Sequence, residues 1–445
     1  MDTQVTLKDI QGFKASFDAN PGFTLARNAV VKSGVDAAVT DYAHKQRMRH
    51  QYSIELPQGK ITNQESSGRC WMFAALNMMR CEVMKKLNLE TFEFSENFPL
   101  FYDKLEKSNH FLECILETLG EATDSRLIAF LLAAPLGDGG QWDMFVSLVE
   151  KYGVCPKDQM PETASSSATA EMTRFMTKKL REFACLLREA HAAGESADAL
   201  RARKAGMMQT IYNILCVCLG EPPASFVFET RDKDKKFLRD GPVTPVEFFK
   251  KYVALDLSEY ISLINAPTKD KPYNKTYTVR FLGNVRGGRA VKYLNVTTGE
   301  MKQAAINQMQ DGGVVWFGCD VGQDHSRDWG AMDTKARDYE AVFGTMAGMT
   351  KAQRLDYGDS LMTHAMVFTG VNIDDGGKPN RWRVENSWGD KRGNEGLYIM
   401  SDDWFDEYNY QVVVKKRYLP KETAALYELE PIELNPWDPM GSLAL

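Results

Sequence analysis

The stretch Gln64-Glu65-Ser66-Ser67-Gly68-Arg69-Cys70-Trp71-Met72-Phe73-Ala74-Ala75 sets a cysteine beside a tryptophan. A glutamine stands six residues upstream, and a helix-forming run follows directly. A thiol in the first turn of a helix lies near the positive end of the macrodipole, which favours thiolate over thiol. A glutamine just upstream can aim its side-chain N–H at the place where an oxyanion develops. Nucleophile and oxyanion donor on one short segment point to an enzyme.

A cysteine nucleophile needs a base, and the base needs an orienting partner. The histidines are His44, His50, His110, His191, His325 and His364. His364 opens an apolar, strand-like run, and a strand edge facing a cleft holds an imidazole firmly. Further on, Asn386 stands in Val384-Glu385-Asn386-Ser387-Trp388-Gly389. Its amide oxygen, accepting from one ring N–H, would aim the other ring nitrogen at sulfur, with Trp388 placed to shield that bond from water. His325 is the competing base, but its Gly- and Asp-rich surroundings read as a loop. Alone, a Cys-Trp pair or a strand-end histidine is ordinary core. The ordered set Gln64, Cys70, His364, Asn386 carries the catalytic reading.

The elements that must position these groups are visible in outline. From Cys70 to about Leu89 the apolar residues Trp71, Phe73, Ala74, Leu76, Met78, Met79, Val83 and Leu87 recur at helical spacing. Residues 20–49 read as a helical lead-in. The region from about 95 to 265 reads as mostly helical, with amphipathic patterns over 170–187 and 196–219. Pro156, Pro161 and a Ser/Thr/Ala-rich run mark a loop near 155–169. After about residue 275 the texture changes. Residues 277–282, 313–319, 364–371 and 381–385 are short, β-branched or aromatic, and bounded by Gly or Asp, as strands are. Helices first and strands later predict an α+β protein in two segregated halves.

Composition bounds the function classes. A chain of 445 residues with 44% hydrophobic and 26% charged residues is an ordinary globular composition, long enough for a few domains or one core with large insertions. A net charge of −6 gives no electrostatic reason to expect nucleic acid as the main partner. The mixed-sign cluster over 231–236 reads as a solvated loop. Residues 1–14 are polar and lack an apolar signal core, and no stretch has the roughly 18 uninterrupted apolar residues of a membrane span. Eight cysteines without regular spacing suit a reducing compartment, hence the cytosol. Cys216 and Cys218 read as buried free thiols.

With these residues in order, the chain resembles the papain family of cysteine peptidases. Ser67-Gly68-Arg69-Cys70-Trp71 looks like that family's nucleophile segment, and Asn386-Ser387-Trp388-Gly389 matches its asparagine motif. Gly139-Gly140-Gln141-Trp142 is similar to the strip whose backbone pairs with substrate, and Gln64 matches the oxyanion-hole glutamine. Two departures narrow the resemblance. Ser67 stands where secreted relatives have a disulfide cysteine. His364 follows Cys70 by nearly three hundred residues, far beyond the roughly 130–150 of papain itself, so large insertions intervene. Both features, and the tail Pro436-Trp437-Asp438-Pro439-Met440-Gly441-Ser442-Leu443-Ala444-Leu445, resemble the bleomycin hydrolase/aminopeptidase C branch.

The resemblance implies a papain-like core with a helical insertion, a homohexamer enclosing its active sites, and a cytosolic enzyme with no metal or organic cofactor. It implies Cys70 as nucleophile, His364 as base, Asn386 as its orienter and Gln64 as oxyanion donor. Gly139, Gly140 and Trp388 are the expected substrate-binding residues, with Ala444 and Leu445 at the end of a C-terminal arm that lies in the cleft. The arm's terminal carboxylate would receive the free amino group of a peptide, making an aminopeptidase. In some members the last residue is trimmed, which here would remove Leu445. Asp138 reads as an acidic turn residue rather than a substrate contact. The expected organisation is a lead-in over 1–60, a helical half with the nucleophile over 61–155 and a helical insertion over about 156–275. A β-rich half with His364 and Asn386 over 276–420 and the arm over 421–445 complete it. The alternatives are a nucleic-acid-binding or regulatory hexamer with secondary peptidase activity, and an endopeptidase should the arm not occupy the cleft.

Overall fold

The computed structural model describes residues 3–444. Its centre is the helix Cys70–Leu87, whose first three turns from Cys70 to Arg80 are buried on every side. Such a helix reads as hydrophobic all round, because it sits between two bodies rather than on one. It stops where Asn88 turns left-handed, with φ 52°.

One of those bodies is a sheet. In chain order the strands are β1 (Ile54–Glu55), β2 (Phe226–Arg231), β3 (Phe237–Val243), β4 (Tyr260–Ile264), β5 (Lys275–Val279), β6 (Tyr293–Asn295) and β7 (Val315–Cys319). They continue with β8 (His325–Ser326), β9 (Ala331–Met332), β10 (His364–Ile373), β11 (Pro379–Glu385), β12 (Leu397–Ser401), β13 (Asn409–Lys415) and β14 (Ile432–Leu434). The sheet runs in the order β14-β5-β6-β4-β13-β7-β10-β11-β12-β9-β8, with β1 added to β10, while β2 and β3 form a separate hairpin. All four stretches with strand texture overlap strands of this sheet, though the one over 277–282 leaves its strand after Val279. Two central strands had escaped that reading: β4 is buried at every position and β13 at all but its last. A strand covered on both faces shows no alternation to read. The hairpin β2–β3 also interrupts the region read as helical.

The nucleophile helix is tied to the sheet at both ends of its buried stretch. Trp316 Nε1 of β7 donates to the Trp71 carbonyl at 3.1 Å. Arg80, on the same helix, donates to Glu385 at the end of β11, and its second arm donates to the Lys60 carbonyl at 2.7 Å. Both partners of the Arg80–Glu385 pair are 1% exposed. Burial raises the Glu385 carboxyl, and Arg80 opposes it. That buried pair fixes the residue just before Asn386 against the helix that begins with Cys70.

The other body is helical. Trp142–Tyr152 lies against the nucleophile helix, and behind it Asn97–Glu117, Ala170–Ala192 and Ala197–Leu219 pack together, with Ala170–Ala192 burying one stripe made of Met172, Met176, Leu180, Phe183 and Leu187. Cys216 and Cys218, read as buried, are half-exposed on the last of these helices. They flank Val217, which faces solvent at 87% exposure, so each sits at the edge of the buried stripe that Leu215 and Leu219 form. At the N-terminus Leu7–Asp18 begins with a Thr6/Asp9 capping box, and Pro21–Ser33 follows; neither helix buries a residue. Among the described residues no helix is long and apolar enough to cross a membrane.

Candidate active site

Cys70 is the first residue of the central helix and is 4% exposed. The backbone amides of Ala365, Trp71 and Cys70 itself face its sulfur. Ala365 follows His364, the first residue of β10, so the end of that strand meets the thiol. His364 Nε2 lies 2.9 Å from Asn386 Oδ1, and that oxygen also accepts the Ser387 N–H at 2.8 Å. An oxygen can only accept, so Nε2 carries the proton and Nδ1 is left as the basic nitrogen. The Trp388 ring covers the imidazole at a tilt of 31°, with centroids 4.7 Å apart. His325 packs on Trp388 and Tyr398 rather than on Asn386, and it opens the short strand β8 instead of lying in a loop.

Helix position alone suggested a thiolate, but enclosure outweighs it. Burial pushes the Cys70 thiol up to about 11 despite the amides facing it. Burial likewise pulls His364 down to about 4, against the opposing bond to Asn386. Each charge alone is disfavoured in this dry site. Proton transfer from sulfur to imidazole creates the two charges as an adjacent pair, with no net change.

Gln64 meets this centre from the preceding loop. Its Oε1 accepts from Ser387 Oγ at 2.6 Å, and its backbone N–H donates to the Ser387 carbonyl at 2.8 Å. One amide hydrogen goes to the Ser67 carbonyl at 2.6 Å, leaving the second free. Ser387 therefore holds the glutamine and, through its own amide, the asparagine. It lies inside the quoted Asn-Ser-Trp-Gly motif, so the signal was present but its role was not.

The glycine strip is built on the same helix start. A side chain at Gly140 would run into the Trp71 ring at 2.5 Å, and Trp71 Nε1 donates to the Asp138 carbonyl at 2.8 Å. This explains why tryptophan follows the cysteine. Beneath the strip, Lys107 donates to the Gly139 carbonyl and Lys104 to the Gly137 carbonyl at 2.9 Å. Lys104 also pairs with Asp138. Asp138, read as a turn residue, is a hub: it accepts from Gly68 N at 2.9 Å and from Thr169 and Thr173. Burial alone would raise its carboxyl, but Lys104, Thr169 and Gly68 together hold it well below the usual carboxylate range. Two lysines on one helix face look like a solvated surface in sequence, which hid this support.

The tail runs into the same place. Trp437 packs on Phe130, with the Arg126 guanidinium 3.8 Å from its ring centroid. Asp438 pairs with Lys271 at 2.9 Å, Tyr293 OH donates to the Met440 carbonyl at 3.0 Å, and Ser442 Oγ to the Met362 carbonyl at 2.8 Å. A side chain at Gly139 would meet the Leu443 carbonyl oxygen at 2.0 Å. Ala444 borders a cavity with Lys107, His110 and Phe130. Leu445 lies outside the described residues. The structure thus brings together Gln64, Cys70, His364, Asn386 and Trp388, with Gly139, Gly140 and the tail to Ala444 alongside. Among the described residues no group of His, Cys, Asp or Glu is arranged to hold a metal ion.

Residues 4–441 match the model of the Peptidase C1-like family. The chain is 48% identical to Aminopeptidase C of Listeria monocytogenes over the full length of both. It is 44% identical to human Bleomycin hydrolase over 96% of each chain. The solved structure of PepW from Lactobacillus rhamnosis HN001 superposes with a TM-score of 0.97 at 48% identity, covering 99% of both chains. On these grounds the chain, with its α+β papain-like fold, belongs to the Peptidase C1-like family, in the aminopeptidase C and bleomycin hydrolase branch, and is a cysteine aminopeptidase.

Proposed function

We propose that this enzyme removes N-terminal residues from short peptides in the cytosol, through Cys70, His364, Asn386 and Gln64. The observation that carries the reading is the Nε2–Oδ1 bond between His364 and Asn386, beside a thiol that faces the Ala365 amide. His364 Nδ1 takes the Cys70 proton as sulfur attacks the first peptide carbonyl. The free amide hydrogen of Gln64 and the Cys70 backbone N–H stabilise the oxyanion. His364 then protonates the leaving amine, and water, activated by the same imidazole, hydrolyses the thioester.

The arm supplies the exopeptidase restriction in this proposal. Its last turn lies against Gly139, so the substrate strip is covered and only a residue with a free amino group fits between the arm and Cys70. Gly139, Gly140 and Trp388, with Ala444 and Leu445, form the substrate site. We further propose a homohexamer, in keeping with the family resemblance. The exposed apolar side chains of Leu7, Ile10, Phe13, Leu25 and Val31 on the first two helices suit burial against other copies.

The test uses a peptide and its N-acetylated twin. Wild type should hydrolyse only the free-amine form, and Cys70→Ser should hydrolyse neither. Equal cleavage of the twins would defeat the aminopeptidase reading, and full activity in Cys70→Ser would defeat the nucleophile.

A further inference from the structure

The residue before the nucleophile is a fully buried arginine, and nothing in the chemistry above uses it. Arg69 is 0% exposed. It occupies the cap position of the central helix, yet no side chain caps that helix. The loop before Cys70 is therefore not held by an ordinary N-cap. The guanidinium holds it instead. Arg69 Nε donates to Ser67 Oγ at 2.9 Å, and its two terminal nitrogens donate to the two oxygens of Glu162 at 2.9 and 2.8 Å. The group also lies 5.1 Å from the Phe73 ring centroid.

Both ends of this fork lead somewhere specific. Ser67 Oγ donates to the Gln64 carbonyl at 2.6 Å, and the Ser67 carbonyl accepts from Gln64 Nε2. On the far side Glu162 belongs to the start of the helical insertion, where Ser166 Oγ donates to it at 2.6 Å. One residue along, Ser66 N donates to the Ser167 carbonyl at 3.0 Å. Burial alone would raise the Glu162 carboxyl, but Arg69 and Ser166 hold it below its usual value, so the pair stays charged. A planar fork bonded at three points fixes direction as well as distance, which a lysine cannot do.

We infer that Arg69 is a positioning residue: its bidentate pair with Glu162 fixes the 64–69 loop, so the helical insertion sets the aim of Gln64. This rests on Gln64 being the oxyanion donor. Arg69 touches no reacting atom in this account and acts through Ser67.

The test compares Arg69→Lys, Glu162→Gln and Gln64→Ala for kcat, KM and the rate at which iodoacetamide alkylates Cys70. Alkylation needs no oxyanion hole. Arg69→Lys and Glu162→Gln should lower kcat about 10-fold or more with KM and alkylation within about 3-fold, since one aimed donor is worth about 10²–10³. Unchanged kcat in both, or alkylation falling in parallel with kcat, would overturn the inference. Should Gln64→Ala itself keep wild-type kcat, the parent assignment fails rather than this one. If neither charge variant folds, Ser166→Ala keeps the ion pair and loosens Glu162 together with the Thr163 cap beside it. It should lower kcat about 2–5-fold, in line with one hydrogen bond, and wild-type kcat there would overturn the inference.

Discussion

Ser387 Oγ donates to Gln64 Oε1 at 2.6 Å, so the proposed oxyanion donor is held by the residue next to the histidine's orienting asparagine. The two halves of the molecule thereby share one small polar network. Losing a neutral hydrogen bond costs about 0.5–1.5 kcal/mol, and each 1.4 kcal/mol in a barrier is about tenfold in rate. Ser387→Ala should therefore lower kcat by up to about 10-fold with little change in KM. Gln64→Ala should lower it by about 10²–10³. Steady-state kinetics on an aminoacyl substrate checks both, and the reverse order would contradict the network.

Enclosure should also show in the pH profile. His364 is pulled down to about 4 by burial, and the Cys70 thiol is pushed up to about 11. The Cys–His pair therefore resists taking a second proton until well below the usual histidine range. Because the two groups titrate together, the limb belongs to the pair. The acid limb of kcat/KM should fall near pH 4 to 5. A limb at about 6.5, the free imidazole value, would mean the site is open to water.

Gly139 gives a test of the tail's position that leaves the nucleophile alone. A methyl group there would overlap the Leu443 carbonyl oxygen, 2.0 Å away, so either strip or arm must shift. Gly139→Ala should weaken hydrolysis of free-amine peptides and raise the relative cleavage of N-acetylated ones. The ratio of the two rates is the readout, and an unchanged ratio would count against the arm as the restricting element.

The buried Arg80–Glu385 pair makes a stability prediction. Removing one partner leaves an uncompensated buried charge, typically a loss of about 3–5 kcal/mol. Arg80→Met should therefore lower the denaturation midpoint strongly. Arg80→Met combined with Glu385→Gln should recover part of the loss, because the stranded charge is gone. Chemical denaturation of both variants checks this.

Cys70, His364 and Asn386 were legible because each sits in a short motif whose order along the chain is chemically meaningful. Gly140 and Trp71 were legible as separate motifs, but not as one contact, since their meeting depends on the fold. Strands β4 and β13 were missed because nearly every position is buried, and β2 because its Phe226-Val227-Phe228 alternation is too short to stand out among helices. Helix position favours the Cys70 thiolate, and burial opposes it; the sequence does not show how completely Cys70 is enclosed. Lys104, Lys107 and Arg69 were passed over for a related reason. A charged residue in a helical pattern reads as surface until its buried partner is seen.

In the proposed function Cys70 sets the chemistry, while the chain's own tail restricts it to free N-termini. The most direct measurement removes Ser442–Leu445 and compares kcat/KM on a peptide and its N-acetylated twin. The truncated enzyme should still react through Cys70, lose its preference for the free amine and cleave the blocked peptide. A truncated enzyme that keeps full activity on the free-amine peptide and none on the blocked one would contradict the proposed function.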